Sequence, residues 1–314
     1  MHIITGGAGF IGSNLARKLI DSREDDVLIV DDLTDGHKFS NIADLNICDY
    51  VDKDEFIPYL ESNRALSKSI QSVLHLGACT TTTEWNGRFM MENNFTYSKK
   101  LLHLCLTKNI PFIYASSAAV YGQSKNFEET PENEAPLNVY GYSKLLFDQY
   151  VRKLELSYKQ QVVGLRYFNV YGPGEKHKGS MASVVFHFNK QIKEGGEVKV
   201  FEGSHGFDDG CQLRDFVCAD DVCDVTLWFL ENPGVSGIFN VGTGKPSTFN
   251  DIANTVIDWH GSGKISYIPF PENLRDVYQY CTKAHLEKLR HVGCDIQFRN
   301  ISLGIKEYLD FIST

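Results

Sequence analysis

The chain contains no apolar run approaching the ~18 residues that a membrane span requires. Its N-terminus, Met-His-Ile-Ile-Thr-Gly-Gly, has neither a basic leader nor a long apolar core, and enters a strand-like segment directly. These absences predict a cytoplasmic protein that does not enter the membrane. An excess of positive charge is also missing. Lys plus Arg number 31 against 40 acids, a net charge of −9, so bulk charge favours neither nucleic acid nor an anionic surface. An anionic ligand must therefore be held by local basic residues. Eight cysteines (48, 79, 105, 211, 218, 223, 281 and 294) form no CxxC pair. Free buried thiols are expected, in preference to a metal site built from Cys211, Cys218, Cys223 and His205. No repeat, low-complexity tract or long linker occurs. What is present, 42% hydrophobic and 23% charged residues over 314 positions, is enough for a sizeable core in one large α/β unit or about two domains.

The first half alternates short apolar runs with longer amphipathic ones, the pattern of a parallel sheet covered by helices. Strands are expected at 2–5, 27–31, 72–76, 111–115 and 161–166, with helices at 11–22, 87–109 and 143–156. After Pro173 the rhythm breaks into polar and Gly-rich segments around short strands at 198–201 and 238–241. A smaller C-terminal unit interleaved with the end of the sheet follows. Residues 1–170 plus about 217–243 are assigned to dinucleotide binding, and about 171–216 plus 244–314 to substrate binding.

Strand 2–5 runs into Thr5-Gly6-Gly7-Ala8-Gly9-Phe10-Ile11-Gly12 and then a helix, so Gly7, Gly9 and Gly12 satisfy GxGxxG in strand–turn–helix context. The glycines allow a tight turn and close backbone approach, which seats a pyrophosphate on the helix N-terminus. Asp31 and Asp32 end the second strand about 20 residues on, where a ribose-binding acid belongs. Asp31 favours a free 2′-hydroxyl and hence NAD, whereas Lys38 and Lys53 could neutralise a 2′-phosphate and favour NADP.

The strand at 111–115 leads into Ser116-Ser117-Ala118-Ala119-Val120-Tyr121-Gly122, at the end of the sheet that faces a ligand crevice. Farther on, Tyr140 and Lys144 are four apart in Tyr-Gly-Tyr-Ser-Lys, so a helix puts both on one face. A free tyrosine titrates near ~10. An adjacent ammonium favours the phenolate, and a serine hydroxyl can hydrogen-bond the reacting oxygen.

This combination resembles the extended short-chain dehydrogenase/reductase superfamily. Further segments narrow the resemblance: His75-Leu76-Gly77-Ala78-Cys79 with Thr80–Trp85, Met90–Asn94, Tyr167–Pro173, His177–Ser183 and Phe201–Ser204. Together they resemble the ADP-L-glycero-D-manno-heptose 6-epimerase family, over nearly the whole chain from Ile3 to about Tyr278. The resemblance implies a doubly wound parallel sheet of Rossmann type, bound NADP, a homo-oligomer (a pentamer in this family) and a role in lipopolysaccharide inner-core synthesis.

By motif, it implies Tyr140 as one acid/base and Lys178 as a second, with Ser117 on the reacting oxygen and Lys144 on the nicotinamide ribose. It places Gly6, Gly7, Gly9, Phe10, Ile11, Gly12, Asp31, Asp32, Lys38, Lys53, Leu76, Gly77, Ala78, Cys79, Thr80, Asn93, Lys144, Val170 and Lys178 at the cofactor. Asn169, Ser180, His187, Phe201, Glu202, Gly203, Ser204, Arg214 and Tyr278 are implied at the ADP-sugar, and no metal is called for. The chain departs from the family in three places. Asp32 stands where Asn is usual, Leu76 where Glu is frequent, and 205–213 resembles an insertion before Arg214. Another nucleotide-sugar epimerase or a 4,6-dehydratase is the alternative enzyme, although Ser117-Ala-Ala-Val lacks a dehydratase's Asp-Glu pair. A dinucleotide-binding sensor without catalysis is the alternative of another class.

Overall fold

Valine-, isoleucine- and leucine-rich runs, covered by helices on both faces, form a parallel sheet. The computed structural model describes residues 1–63, 69–154, 159–272 and 278–313. Its strands are β1 (His2–Thr5), β2 (Val27–Asp31), β3 (Asp49–Asp52), β4 (Ser72–His75), β5 (Phe112–Ser117), β6 (Val162–Tyr167), β7 (Asn169–Tyr171), β8 (Glu197–Phe201), β9 (Leu213–Arg214), β10 (Phe216–Cys218), β11 (Gly237–Val241), β12 (Ser247–Thr248) and β13 (Lys264–Ile268). Its helices are α1 (Phe10–Arg23), α2 (Lys53–Ser62), α3 (Gly87–Met91), α4 (Tyr97–Lys108), α5 (Val139–Leu154), α6 (Val184–Gly195), α7 (Ala219–Glu231), α8 (Phe249–His260), α9 (Glu287–His291) and α10 (Ile301–Phe311).

Among the described residues the central sheet has the order β11-β6-β5-β4-β1-β2-β3, and its strand pairs are parallel. The order reverses beside β1, between β4 and β2. That is the switch point at which an open α/β sheet makes a ligand crevice. One core cluster packs α1 and α7 residues (Leu15, Leu19, Val222, Phe229) against the sheet. A second packs Phe56, Leu101, Leu102, Phe147 and Val151 against it. A third cluster, with Val185, Phe188, Ile252, Val256 and Ile305, is the core of the smaller unit, where β8 pairs with β13 and β7 with β10. No helix among the described residues is long and apolar enough to cross a membrane.

Local chemistry sets the boundaries. Asn138 Oδ1 accepts the Gly141 N–H at 2.8 Å, so α5 begins at Val139, a turn ahead of the expected 143. Residues 155 and 156 of the expected helix lie outside the described residues. The stretch 87–109 is not one α-helix: Glu92–Thr96 forms a π-helical segment between α3 and α4. Within it, the Asn94 amide accepts from Cys79 N–H (2.8 Å) and donates to the Cys79 carbonyl (2.9 Å). Strand β3 carries no strong sequence signal. It is a short edge strand, Asp-Tyr-Val-Asp, with no fully buried residue.

Behind the cleft lies a buried charge network. Asp148 Oδ1 accepts from Tyr114 Oη at 2.9 Å, and its Oδ2 accepts from Ser116 Oγ (2.9 Å) and Arg166 Nε (2.9 Å). Arg166 also bonds Glu134, which Arg152 holds from the other side. The Tyr114 ring reaches Asp148 because residue 164 is glycine; a Cβ there would stand 2.5 Å from the phenol oxygen. Arg166 and Asp148 are both fully buried, and removing one member of such a pair strands the other charge. Arg166→Met should therefore cost about 3–5 kcal/mol, read as a lower urea midpoint. A loss below about 1 kcal/mol would mean that the network contributes no more than a surface pair.

Candidate active site

A cleft of about 790 Å³ opens at the carboxyl ends of β1, β4 and β5. Its floor is the glycine turn. Gly6 has φ +69°, and a Cβ there would lie 2.7 Å from Gly77 N, so the ends of β1 and β4 come this close because residue 6 is glycine. A Cβ on Gly12 would meet the Gly6 carbonyl at 2.1 Å. Helix α1 starts at a Gly9 N-cap with no capping side chain and no acid in its first turn. Ser13 N–H, bonded to Gly9 O at 3.0 Å, is the first to find an intrahelical partner, which leaves Phe10, Ile11 and Gly12 N–H without one. Such a terminus fits a diphosphate.

Beneath it, His75 bonds Thr5 Oγ1 (2.6 Å) and Ser98 Oγ (2.8 Å). Burial pushes its pKa down to about 3, so the ring is a neutral brace. Asp31 is already engaged. Oδ2 accepts Ala8 N–H (2.7 Å), while Oδ1 accepts Asp32 N–H (2.7 Å) and the Lys38 ammonium (2.9 Å). Lys38 and Lys53 both act on Asp32, whose carboxyl is held below its usual range, chiefly by its bonds to Thr34. Lys53 is half-exposed and pairs with Asp54 at 2.7 Å.

Tyr140, Lys144 and Ser117 all line the cleft, as do Phe10, Ile11, Leu76, Gly77, Ala78, Cys79, Thr80, Asn93, Asn169, Val170 and Lys178. Tyr140 and Lys144 share one face of α5. Burial pushes the Tyr140 phenol above its ordinary value, and its hydrogen bond with Ser117 pulls the other way. The expected ammonium–phenolate pairing is not formed. Lys144 instead donates to the Ala115 carbonyl at 2.9 Å, and burial brings its pKa down to about 8 against the opposing charge of Asp148. Lys178 reaches the cleft from the loop after β7, its ammonium 5.3 Å from the Phe10 ring centroid. Burial lowers its pKa as well, with Glu175 opposing.

The remaining residues expected at the substrate are not among those lining this cleft; Arg214, Tyr278 and Phe201 form one cluster, and Ser180 and His187 lie apart from it in the contacts they make. Arg214 is buried with its guanidinium 4.5 Å from the Tyr278 ring centroid, and rings continue from Tyr278 to Phe270 (5.1 Å) and Phe201 (5.4 Å). The 205–213 segment folds back on Glu202–Ser204. Asp209 accepts Gly203 N–H at 2.7 Å, and the Gln212 amide donates to Glu202 O at 3.0 Å and Ser204 Oγ at 3.3 Å. His187 meets Ser180 only through its carbonyl, at 3.4 Å.

Cys218 and Cys223 are buried, Cys211 is half-buried, and His205 stacks on Tyr280 at 4.6 Å. The carboxylates of Asp220, Asp221 and Asp224 lie close together and are bound by Lys18 and Arg299. The sequence reading missed His177, Phe216, Phe249 and Gln279, which line the cleft. Gln279 lies next to Tyr278 and bonds Gly122 O at 3.1 Å, a long-range contact without a local signal.

Comparison with known proteins adds three likenesses. The curated ADP-L-glycero-D-manno-heptose-6-epimerase of Alkalilimnicola ehrlichii is 56% identical over 313 residues, covering 100% of this chain and 98% of that protein. The crystal structure of the Helicobacter pylori ADP-L-glycero-D-manno-heptose-6-epimerase is 33% identical with a TM-score of 0.85, covering 100% of this chain and 96% of that one. Thermus thermophilus UDP-glucose 4-epimerase in complex with NAD is 27% identical with a TM-score of 0.80, covering 100% and 99%. The glycine cradle over residues 6–12, the acids and lysines beside it and the tyrosine–serine pair thus lie within residues 2–242, which match one family model, and the chain belongs to the NAD dependent epimerase/dehydratase family.

Proposed function

We propose that the chain inverts C6 of ADP-D-glycero-D-manno-heptose to give the L-glycero epimer, with Tyr140 and Lys178 as its two proton-transfer groups. The observation that carries this reading is their placement. They enter one cleft from different elements, Tyr140 from α5 and Lys178 from the loop after β7. The hydrogen on C6 is not adjacent to a carbonyl and cannot leave as a proton, so inversion needs a transient 6-keto sugar. A bound nicotinamide dinucleotide supplies the acceptor that takes the C6 hydride and returns it.

The protein's own work is proton handling and position. Tyr140, bonded to Ser117, exchanges the hydroxyl proton of one C6 epimer. Inversion would require the sugar end to turn, which would put its oxygen elsewhere in the cleft, where Lys178 exchanges the proton of the other epimer. Lys144 is placed to hold the ribose hydroxyls. Lysines suit the second role because burial brings their pKa toward neutrality. Arg214 and the rings beside it are the candidate grip on the ADP moiety, since a guanidinium forks onto a diphosphate.

The cofactor is read as NADP. Asp31 spends both oxygens on Ala8, Asp32 and Lys38, which weakens it as a ribose 2′-hydroxyl acceptor, while Lys38 and Lys53 offer charge to a 2′-phosphate. Nucleotide released from denatured protein should be NADP, and Lys38→Ala should reduce the amount retained. Release of NAD alone would refute this assignment. Tyr140→Phe and Lys178→Met should each leave the bound nucleotide in place and lower epimerisation by ~10²-fold or more. Turnover near wild type in either variant would show that its residue is not one of the two groups.

A further inference from the structure

The loop that carries Lys178 runs from Pro173 to Ser183 and holds two short 3-10 turns within Lys176–Met181, broken at Gly179, where φ is +53° and ψ −124°. Single turns on either side of a kink leave the loop's two ends to be fixed by other contacts. Glu175, 1% exposed, lies inside this loop. Its Oε1 accepts from Ser183 Oγ at 2.7 Å and, at 3.5 Å, faces Gly172 N–H; its Oε2 accepts the Ser183 N–H. Ser183 is the N-cap of α6, its hydroxyl accepting Phe186 N–H at 3.2 Å. Tyr308 of α10 adds a phenol hydrogen bond to the carboxylate. The Glu175 carbonyl accepts Lys178 N–H at 3.0 Å.

One buried carboxylate thus joins β7, α6 and α10 around a three-residue path to Lys178. We propose that Glu175 is a positioning residue for Lys178, clamping both ends of its loop with a buried carboxylate three residues away in the chain. The proposal rests on the reading of Lys178 as the second proton-transfer group.

Two functions are combined in this side chain. The mechanical one is plain from the bonds: without the carboxylate, Gly172 and Ser183 lose a shared acceptor and the glycine-kinked loop is released. The electrostatic one is mutual: burial disfavours the charged forms of both Glu175 and Lys178, bonds from Ser183 and Tyr308 favour the Glu175 carboxylate, and each of the two groups opposes the other's loss of charge. The other charged and titratable neighbours are few. His177 lies on the same loop with Lys38 beyond it, and both its own burial and these two lysines depress its protonation. Tyr308 faces Glu175 from α10, and α1 contributes only the Phe10 ring at Lys178. Among the described residues the Lys178 ammonium has no hydrogen-bond acceptor of its own, so the nearby carboxylate tunes it without capturing it.

The test uses an ADP-sugar analogue with an aldehyde at C6. One molecule, as its hydrate, is oxidised to the carboxylate; the hydride it gives up reduces a second molecule to the alcohol, with no inversion. In the Tyr140→Phe protein this dismutation depends on Lys178, and in Lys178→Met it depends on Tyr140. Adding Glu175→Gln to Tyr140→Phe should slow dismutation and move the limb of its pH–rate profile that belongs to Lys178 about one unit toward acid. The sign follows because removing the anion favours the neutral amine. Glu175→Asp, which keeps the charge on a shorter arm, should restore the limb toward its original position.

Adding Glu175→Gln to Lys178→Met should leave dismutation within about twofold, in keeping with an effect confined to Lys178. Equal losses in both backgrounds, or no movement of the limb, would overturn the proposal and leave Glu175 as a fold residue only. Failure of the underlying reading looks different and appears before Glu175 is touched. Lys178→Met would then epimerise normally and Tyr140→Phe would not dismutate at all.

Discussion

The cleft-lining stripe of α5 depends on a carboxylate that is not among the residues lining the cleft. Tyr140, Lys144 and Asp148 follow one another at four-residue intervals, so a single stripe of the helix carries a phenol, an ammonium and a buried anion. Asp148 is bound by Tyr114 and Ser116 of β5 and by Arg166 of β6. These bonds lock the rotation of the helix against the sheet and thereby decide where the two residues above it point. The charge is held by a guanidinium that also binds Glu134, so the network closes on itself. Burial brings Lys144 down to about 8, and the Asp148 carboxylate one turn along the helix opposes that shift. The anion that fixes the helix thus also moderates the electrostatics of the cleft.

Positive charge is concentrated against the sign of the whole chain. With a net charge of −9, the protein places Lys38, Lys53, Lys144 and Lys178 around one cleft and buries Arg214 nearby in sequence to the smaller unit's strands. Each is held differently: Lys38 by Asp31, Lys53 by Asp54, Lys144 by a carbonyl, Lys178 by an aromatic face. An anionic ligand meets local cations on an acidic body, which limits non-specific attachment to other polyanions.

Those parts of the fold whose cause is local could be read from the chain. The glycine turn is legible because the spacing of Gly7, Gly9 and Gly12 expresses contacts a few residues apart, and the Tyr140–Lys144 pair because helical periodicity alone brings them together. Features with distant causes were hidden. Asn94 breaks the expected long helix because its amide serves the backbone of Cys79, fifteen residues away. Strand β3 was missed because an edge strand with acidic ends and no buried residue has little apolar pattern to show. Asp31 occupies the expected position, yet a sequence cannot reveal that its oxygens are consumed by Ala8 and Lys38. Arg214 and Tyr278 are 64 residues apart, and only the folded smaller unit sets one over the other.

Two asparagine amides join the glycine turn to the loop that carries Lys178. Asn14 donates to the carbonyls of Phe10 and Pro173, both at 2.8 Å, and Asn41 to those of Ala8 and Gly174, both at 3.0 Å. The two segments are thus stitched together, with the Lys178 ammonium 5.3 Å from the Phe10 ring centroid. The bonds to Pro173 and Gly174 span 159 and 133 residues of chain, so the glycine turn and the lysine-bearing loop hold one another in place, and a displacement of either is carried to the other.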